Sequence, residues 1–194
     1  MSVSAFVSKI RFISRRKLCA AAAGAVGLLI LILVLPFTCS SPRESTQVQV
    51  AAAQIEALQQ KIQRFYRNRP SYWGLNNKEV LNNRLYPEGM AVDGRLLSPF
   101  QTEIKIGTGK EGYTVMPGSR FFDIVLTGLD KKNCEALAAH NFNDSFMLNV
   151  VLFSVFNKKF EENYTWGGKK KLPINYKKIK DICIEKNTLL WRVE

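Results

Sequence analysis

The run Leu18–Phe37 (LCAAAAGAVGLLILILVLPF) holds twenty residues and no charge, and it constrains the chain more than any other feature. A helix rises ~1.5 Å per residue, so such a run spans about 30 Å, the thickness of a bilayer's hydrocarbon core. Lys9, Arg11, Arg15, Arg16 and Lys17 precede it, and residues 1–43 contain no acid. A basic flank on one side holds that flank in the cytoplasm and sends the other side across. Residues 1–17 are therefore expected to be a cytoplasmic basic segment, 18–37 a transmembrane helix and 43–194 an extracytoplasmic domain, with membrane lipid as a partner. The competing reading is a cleaved export signal. Ser14-Arg15-Arg16 resembles a twin-arginine signal, and Thr38-Cys39-Ser40 is a passable cleavage site.

This segment also explains part of the net charge of +12. Five of those charges lie in residues 1–42, two in 43–130 and five in 131–194. The middle of the chain is nearly balanced, so the excess does not describe one global basic surface. A single histidine, His140, and four cysteines disfavour a zinc centre or a histidine-dependent hydrolase, which need several imidazoles or thiolates at one place. No metal set and no cofactor set is expected, and no nucleophile–base or carboxylate pair stands out, so the chain does not read as an enzyme.

Cys134 and Cys183 are the only cysteines beyond the apolar run and its edge. In an oxidising compartment they are expected to form one disulfide, worth on the order of 4 kcal/mol on the chain-entropy model. Two free thiols are the alternative.

Along the exported part, Val48, Ala51, Ile55, Leu58, Ile62 and Phe65 recur at steps of 3, 4, 3, 4 and 3. That is one face of a helix, expected over 47–67 and ended by Pro70. Residues 70–101 are rich in turn residues and read as a loop with one short helix near Lys78–Leu85. The sheet region is expected over 102–194. Its strands are Thr102–Ile106, Tyr113–Met116, Arg120–Thr127, Phe146–Phe156 and Asn187–Val193, with a helix Lys131–His140 capped by Asp130. The stretch 157–180 is lysine-rich and weakly patterned. The sum is an α+β fold, a long N-terminal helix (a membrane half plus an amphipathic half) packed on a mostly antiparallel β-sheet.

Two motifs invite a chemical reading. Gly107, Gly109 and Gly112 match G-x-G-x-x-G, but strand-like Tyr-Thr-Val follows where a phosphate-binding helix should open, so a hairpin turn is expected. Lys158, Lys159, Lys169, Lys170, Lys171, Lys177, Lys178 and Lys180 are interleaved with Phe160, Tyr164, Trp166 and Tyr176. These lysines with Trp166 form the candidate binding surface, for nucleic acid or other anionic groups. The bland alternative is a solvated, self-repelling loop.

The order of these pieces resembles a type IVb pilin of the major-pilin type. The carriers are Tyr72-Trp-Gly-Leu75, Pro87-Glu-Gly-Met90 running to Gly94, Leu97-Ser-Pro-Phe100, Phe122-Asp-Ile124, Leu129 to Cys134 and on to Leu137-Ala138, then Cys183 and Asn187-Thr-Leu-Leu-Trp191. The resemblance implies a pilin-like fold. It also implies a non-enzymatic structural subunit of a bacterial envelope assembly, either a type IV pilus or a related secretion or conjugation machine. Implied partners are further copies or other pilin-like and envelope-machine subunits. The implied place is the bacterial inner membrane, single-pass, with the C-terminal domain periplasmic or extracellular. Two departures stand out. No Gly or Ala precedes a hydrophobic-Thr-Leu-x-Glu start near Leu18, and the family's glutamate just inside the mature N-terminus has no counterpart. The alternative function is a cleaved, exported binding protein whose basic aromatic C-terminal segment contacts nucleic acid or anionic glycans.

Overall fold

The computed structural model describes residues 46–172 and 176–194. The chain divides into two units, Met1–Ser41 and Pro42–Glu194, and the described residues belong to the second. The expected cytoplasmic segment 1–17 and transmembrane helix 18–37 lie outside them. Among the described residues, no helix is long and apolar enough to cross a membrane.

The apolar stripe becomes α1, Thr46–Tyr66, with Val48, Ala51, Ala52, Ile55, Leu58, Gln59, Ile62 and Tyr66 buried. Tyr66 rather than Phe65 closes the buried face, because the stripe follows the helical period of 3.6 rather than a strict heptad. In the following loop, Asn76 caps a six-residue helix α2, Asn77–Asn82, by accepting from the Glu79 amide at 2.9 Å. Two short strands, β1 (Ala91–Val92) and β2 (Arg95–Leu96), form a hairpin on Asp93-Gly94, both at positive φ. A two-residue turn of that kind matches the twist of its strands, and Asp-Gly tolerates it best.

The main sheet has five strands in the order β3-β4-β7-β5-β6, and every neighbouring pair is antiparallel. The strands are β3 (Ile104–Gly107), β4 (Phe122–Leu129), β5 (Val150–Phe156), β6 (Glu161–Tyr164) and β7 (Asn187–Val193). On one face Phe122, Ile124 and Leu126 of β4 lie opposite Val193, Trp191 and Leu189 of β7, next to Phe153 and Val155 of β5. These residues and the buried face of α1 belong to one core. Alternation puts Asp123, Val125, Leu190 and Ser154 on the other face. The outer edge of β3 is covered by a side chain: Asn77 donates to the Ile104 carbonyl at 2.8 Å and accepts from the Ile106 amide at 2.6 Å. An edge met in this way is less open to pairing with another strand.

Between the strands lie α3 (Lys131–Ala138), α4 (Asp144–Asn149) and α5 (Tyr176–Ile182). Asp130 caps α3 by accepting from the Asn133 amide at 2.7 Å. Three sequence expectations are corrected here. Tyr113–Met116 is not a strand of the sheet. Tyr113 bridges only Thr108, while Val115 exchanges hydrogen bonds with Gly74 and Leu75 of the loop after α1. The run Phe146–Phe156 is not one strand, because Asn143 accepts from the Phe146 amide at 2.8 Å and starts α4 before the chain extends into β5. Finally, the weakly patterned stretch contains β6 and α5.

The α4 segment is also held from α1. Glu56 accepts from the Asn143 amide at 2.7 Å and from the Asn143 side chain.

Candidate interaction surface

Cys134 and Cys183 form a disulfide, with Cα atoms 5.9 Å apart. It ties α3 to the residue just after α5, and both half-cystines are buried in the core. Beside it, Asn187 is a buried hub that the sequence reading missed. Its carbonyl oxygen accepts from the Ile184 amide at 2.9 Å, and its amide donates to the Leu129 and Ile184 carbonyls. Asn157 reaches the same place, donating to the Ile182 carbonyl at 2.8 Å, and accepts from the amides of Lys159 and Phe160. One cluster therefore fixes the end of β4, the β5–β6 turn and the return into β7.

The candidate lysines do not gather into one patch. Lys158 and Lys159 lie in the β5–β6 turn, whereas Lys169, Lys170 and Lys171 follow the far end of β6. A strand of four residues separates the groups by about 13 Å. Lys178 and Lys180 are exposed on α5 with buried Ile179 between them, and Lys177 lies outside the described side chains. Lys170 pairs with Glu162. Trp166 is 47% exposed and anchored by its indole N–H, which donates to the Val150 carbonyl at 2.8 Å. Tyr164, counted among the interleaved aromatics, is buried against Phe153 and presents no face to a ligand.

The glycine motif is a turn and has a structural reason. A Cβ on Gly107, which sits at φ 152°, would lie 2.2 Å from the Tyr113 carbonyl oxygen. The Gly109 amide donates to Asp123 at 2.5 Å. Asp123 is fully buried on β4 and takes a two-pronged contact from Arg192 on β7, Nε at 2.8 Å and Nη2 at 2.9 Å. The anion beneath the glycine loop is thus the protein's own carboxylate.

Elsewhere the surface is apolar or basic in places the sequence does not reveal. Trp73 (66% exposed) and Met116 (70%) are brought together where the Tyr72 and Gly74 amides bond the Ser119 and Val115 carbonyls. A half-open cavity of about 170 Å³ is lined by Phe142, Met147, Val150, Phe153 and Trp191, with His140 at its wall. Among the described residues, no group of three His, Cys, Asp or Glu side chains is placed to hold a metal ion.

Burial raises the pKa of Tyr66, Tyr72 and Tyr164 above the ordinary tyrosine value of 10.0. Glu79 adds to this at Tyr66, while Arg69 opposes it. A raised pKa means that the folded state prefers the neutral phenol, so this contribution is complete below about pH 10 and is lost as pH climbs above it. Denaturant unfolding across that range should show stability falling above pH 10. Tyr164→Phe should make the fall shallower, and an unchanged slope would count against buried phenols as its source.

Comparison with known proteins places this architecture. The family model described as Bundlin matches residues 40–165, well over half of the chain. A comparison with curated protein sequences gives no match. Among solved structures, the chain is similar to TcpA, a type IV pilin from Vibrio cholerae El Tor biotype, at 15% identity and a TM-score of 0.46. That match covers 77% of this chain and 100% of that one. It is also similar to the type IV b pilin from Salmonella typhi, at 12% identity and a TM-score of 0.49, covering 74% of this chain and 97% of that one. The chain belongs to the bundlin family of type IV pilin-like proteins.

Proposed function

We propose that this protein is a non-enzymatic structural subunit of a type IV pilus or a related envelope machine, anchored in the bacterial inner membrane through residues 18–37. Its domain, residues 43–194, then stands on the periplasmic or outer side, and its partners are further pilin-like subunits. The observation that carries this reading is the family match over residues 40–165. Two further features support it. The uncharged run ends nine residues before α1 begins, so little sequence separates the proposed anchor from the amphipathic helix. Exposed Trp73 and Met116 offer apolar side chains that a neighbouring subunit could cover. Residues 1–43 hold no acid, so no carboxylate in that stretch can pair with a neighbour's amine, and the subunit departs there from the way a major pilin polymerises.

The exported binding protein has less support, because its described lysines divide between the two ends of β6 and α5, and one of its aromatics is buried. N-terminal sequencing of the mature protein, with fractionation of membrane and sheared surface filaments, tests the choice. Retention of the 18–37 segment and recovery in the membrane or filament fraction are expected. A mature start near Ser41 with all protein soluble would sink the structural-subunit reading.

A further inference from the structure

Where α1 ends, three segments distant in sequence converge on a cleft of about 350 Å³. The end of α1 supplies Gln63, Tyr66 and Arg67, and the turn that follows supplies Arg69. The bond from the Tyr72 amide to the Ser119 carbonyl brings Arg120 alongside. The end of β7 supplies Glu194, whose main-chain oxygen accepts from Gln63 Nε2 at 2.7 Å.

The charges in this cleft are unequal. Its side chains carry three guanidinium groups and one carboxylate, and that carboxylate is taken by Arg120, Nη2 to Oε1 3.3 Å. Arg69 makes no ion pair among the described residues, although Glu79 lies near enough to Tyr66 to raise its pKa. The Arg69 Cζ lies 4.4 Å from the ring centre of Phe65 and 4.8 Å from that of Tyr66, so the aromatic rings fix the guanidinium in place. Such stacking leaves the edge N–H groups free to donate. Arg67 makes no ion pair among the described residues. Tyr66 is only 4% exposed, yet its hydroxyl has no hydrogen-bond partner among the described residues. A buried hydroxyl left unpaired in a native fold calls for an explanation, and a ligand is one.

We propose that this cleft binds a phosphate group, gripped by Arg67 and Arg69 with the Tyr66 hydroxyl as a third donor. Guanidinium forks suit carboxylate and phosphate alike. Arg67 and Arg69 together carry two positive charges with no ion-pair partner among the described residues, and a phosphate, with a charge of roughly −1.5 to −2 near neutral pH, matches them where a carboxylate carries a single charge. The site lies on the sheet end where β4 begins and β7 finishes. Lys169 and Lys171 lie toward that same end of the sheet, beyond β6, while Lys170 is paired with Glu162.

The test uses the full-length chain in a neutral detergent, titrated calorimetrically with inorganic phosphate and, in a parallel arm, with glycerol phosphate. Acetate at equal ionic strength is the control. Saturable phosphate binding is expected, weakened at least about tenfold in an Arg67→Gln/Arg69→Gln pair, as loss of two charge-assisted contacts implies. Tyr66→Phe keeps the ring and its packing and should weaken phosphate severalfold, whereas Arg64→Gln, outside the cleft, should leave it unchanged. Tighter binding of glycerol phosphate than of inorganic phosphate would identify an esterified phosphate as the ligand, and the reverse order free phosphate. The proposal is overturned by acetate binding as well as phosphate, by no saturable binding of either phosphate, or by unchanged affinity in the arginine pair.

Discussion

Replacing Cys134 or Cys183 by serine is expected to lower the domain's stability by about 4 kcal/mol, measured by denaturant unfolding of the oxidised protein and the variants. The bond closes a loop with a sequence separation of 49 residues, and the unfolded chain regains that loop's freedom once the bond is gone. The single and double variants should be equally unstable, since one bond is lost in each. The loosening should be local at first. α5 is a short helix held to the core by buried Ile179 and by Cys183, so protease cleavage should begin in the segment between β6 and β7. Equal protease sensitivity of oxidised and reduced protein would contradict a structural role for the bond.

Arg192→Met should cost about 3–5 kcal/mol, because it leaves the fully buried Asp123 carboxylate with the Gly109 amide as its remaining partner. The reverse change, Asp123→Ala, should cost less. The Arg192 side chain is 35% exposed, so its guanidinium can turn to water, and solvent screening already limits what the pair contributes on that side. Asp123 also raises the pKa of Arg192, chiefly through its hydrogen bonds, so the guanidinium keeps its charge beside the carboxylate. A double variant with two apolar residues at these positions should recover much of the loss, short of the Gly109 bond. Equal penalties for the two single variants would refute this asymmetry.

Much of the fold was legible where a single period governs a segment. The 3–4 stripe of α1 and the runs of β4 and β7 give up their structure because one face of each meets the core. The failures have a common physical origin. Phe146–Phe156 is apolar throughout, and such a run cannot tell a helix from a buried strand. The deciding signal was Asn143, a cap residue just ahead of it, with Asp144 in the first turn. β6 and α5 were hidden because charged residues interrupt their apolar positions. Tyr164 is the buried side chain of the one strand, and Ile179, with Ile182 partly buried, holds the helix to the core between charged neighbours.

The surface was less legible than the core. Eight lysines close in sequence looked like one patch, yet a hairpin turn and a strand carry Lys158 and Lys159 to one end of β6 and Lys169, Lys170 and Lys171 to the other, and α5 carries Lys178 and Lys180. The arginines of the phosphate cleft come from positions 67, 69 and 120, and no linear pattern joins them. Asn187 was read only as the first residue of a strand. Its role as a hub depends on carbonyls at Leu129 and Ile184, which only the folded chain brings together.

The place of β7 in the sheet has a consequence for how the domain is made. β4 and β5 do not pair with each other, and each pairs with β7, the last strand in chain order. A polypeptide synthesised or exported from its N-terminus therefore holds two separate hairpins, β3-β4 and β5-β6, each with a bare inner edge. Trp191, the large side chain between them, arrives only with the seven residues of β7. Until then these edges can pair with those of another chain, so the interval before the last strand docks is when the protein most needs to be kept apart from its own copies.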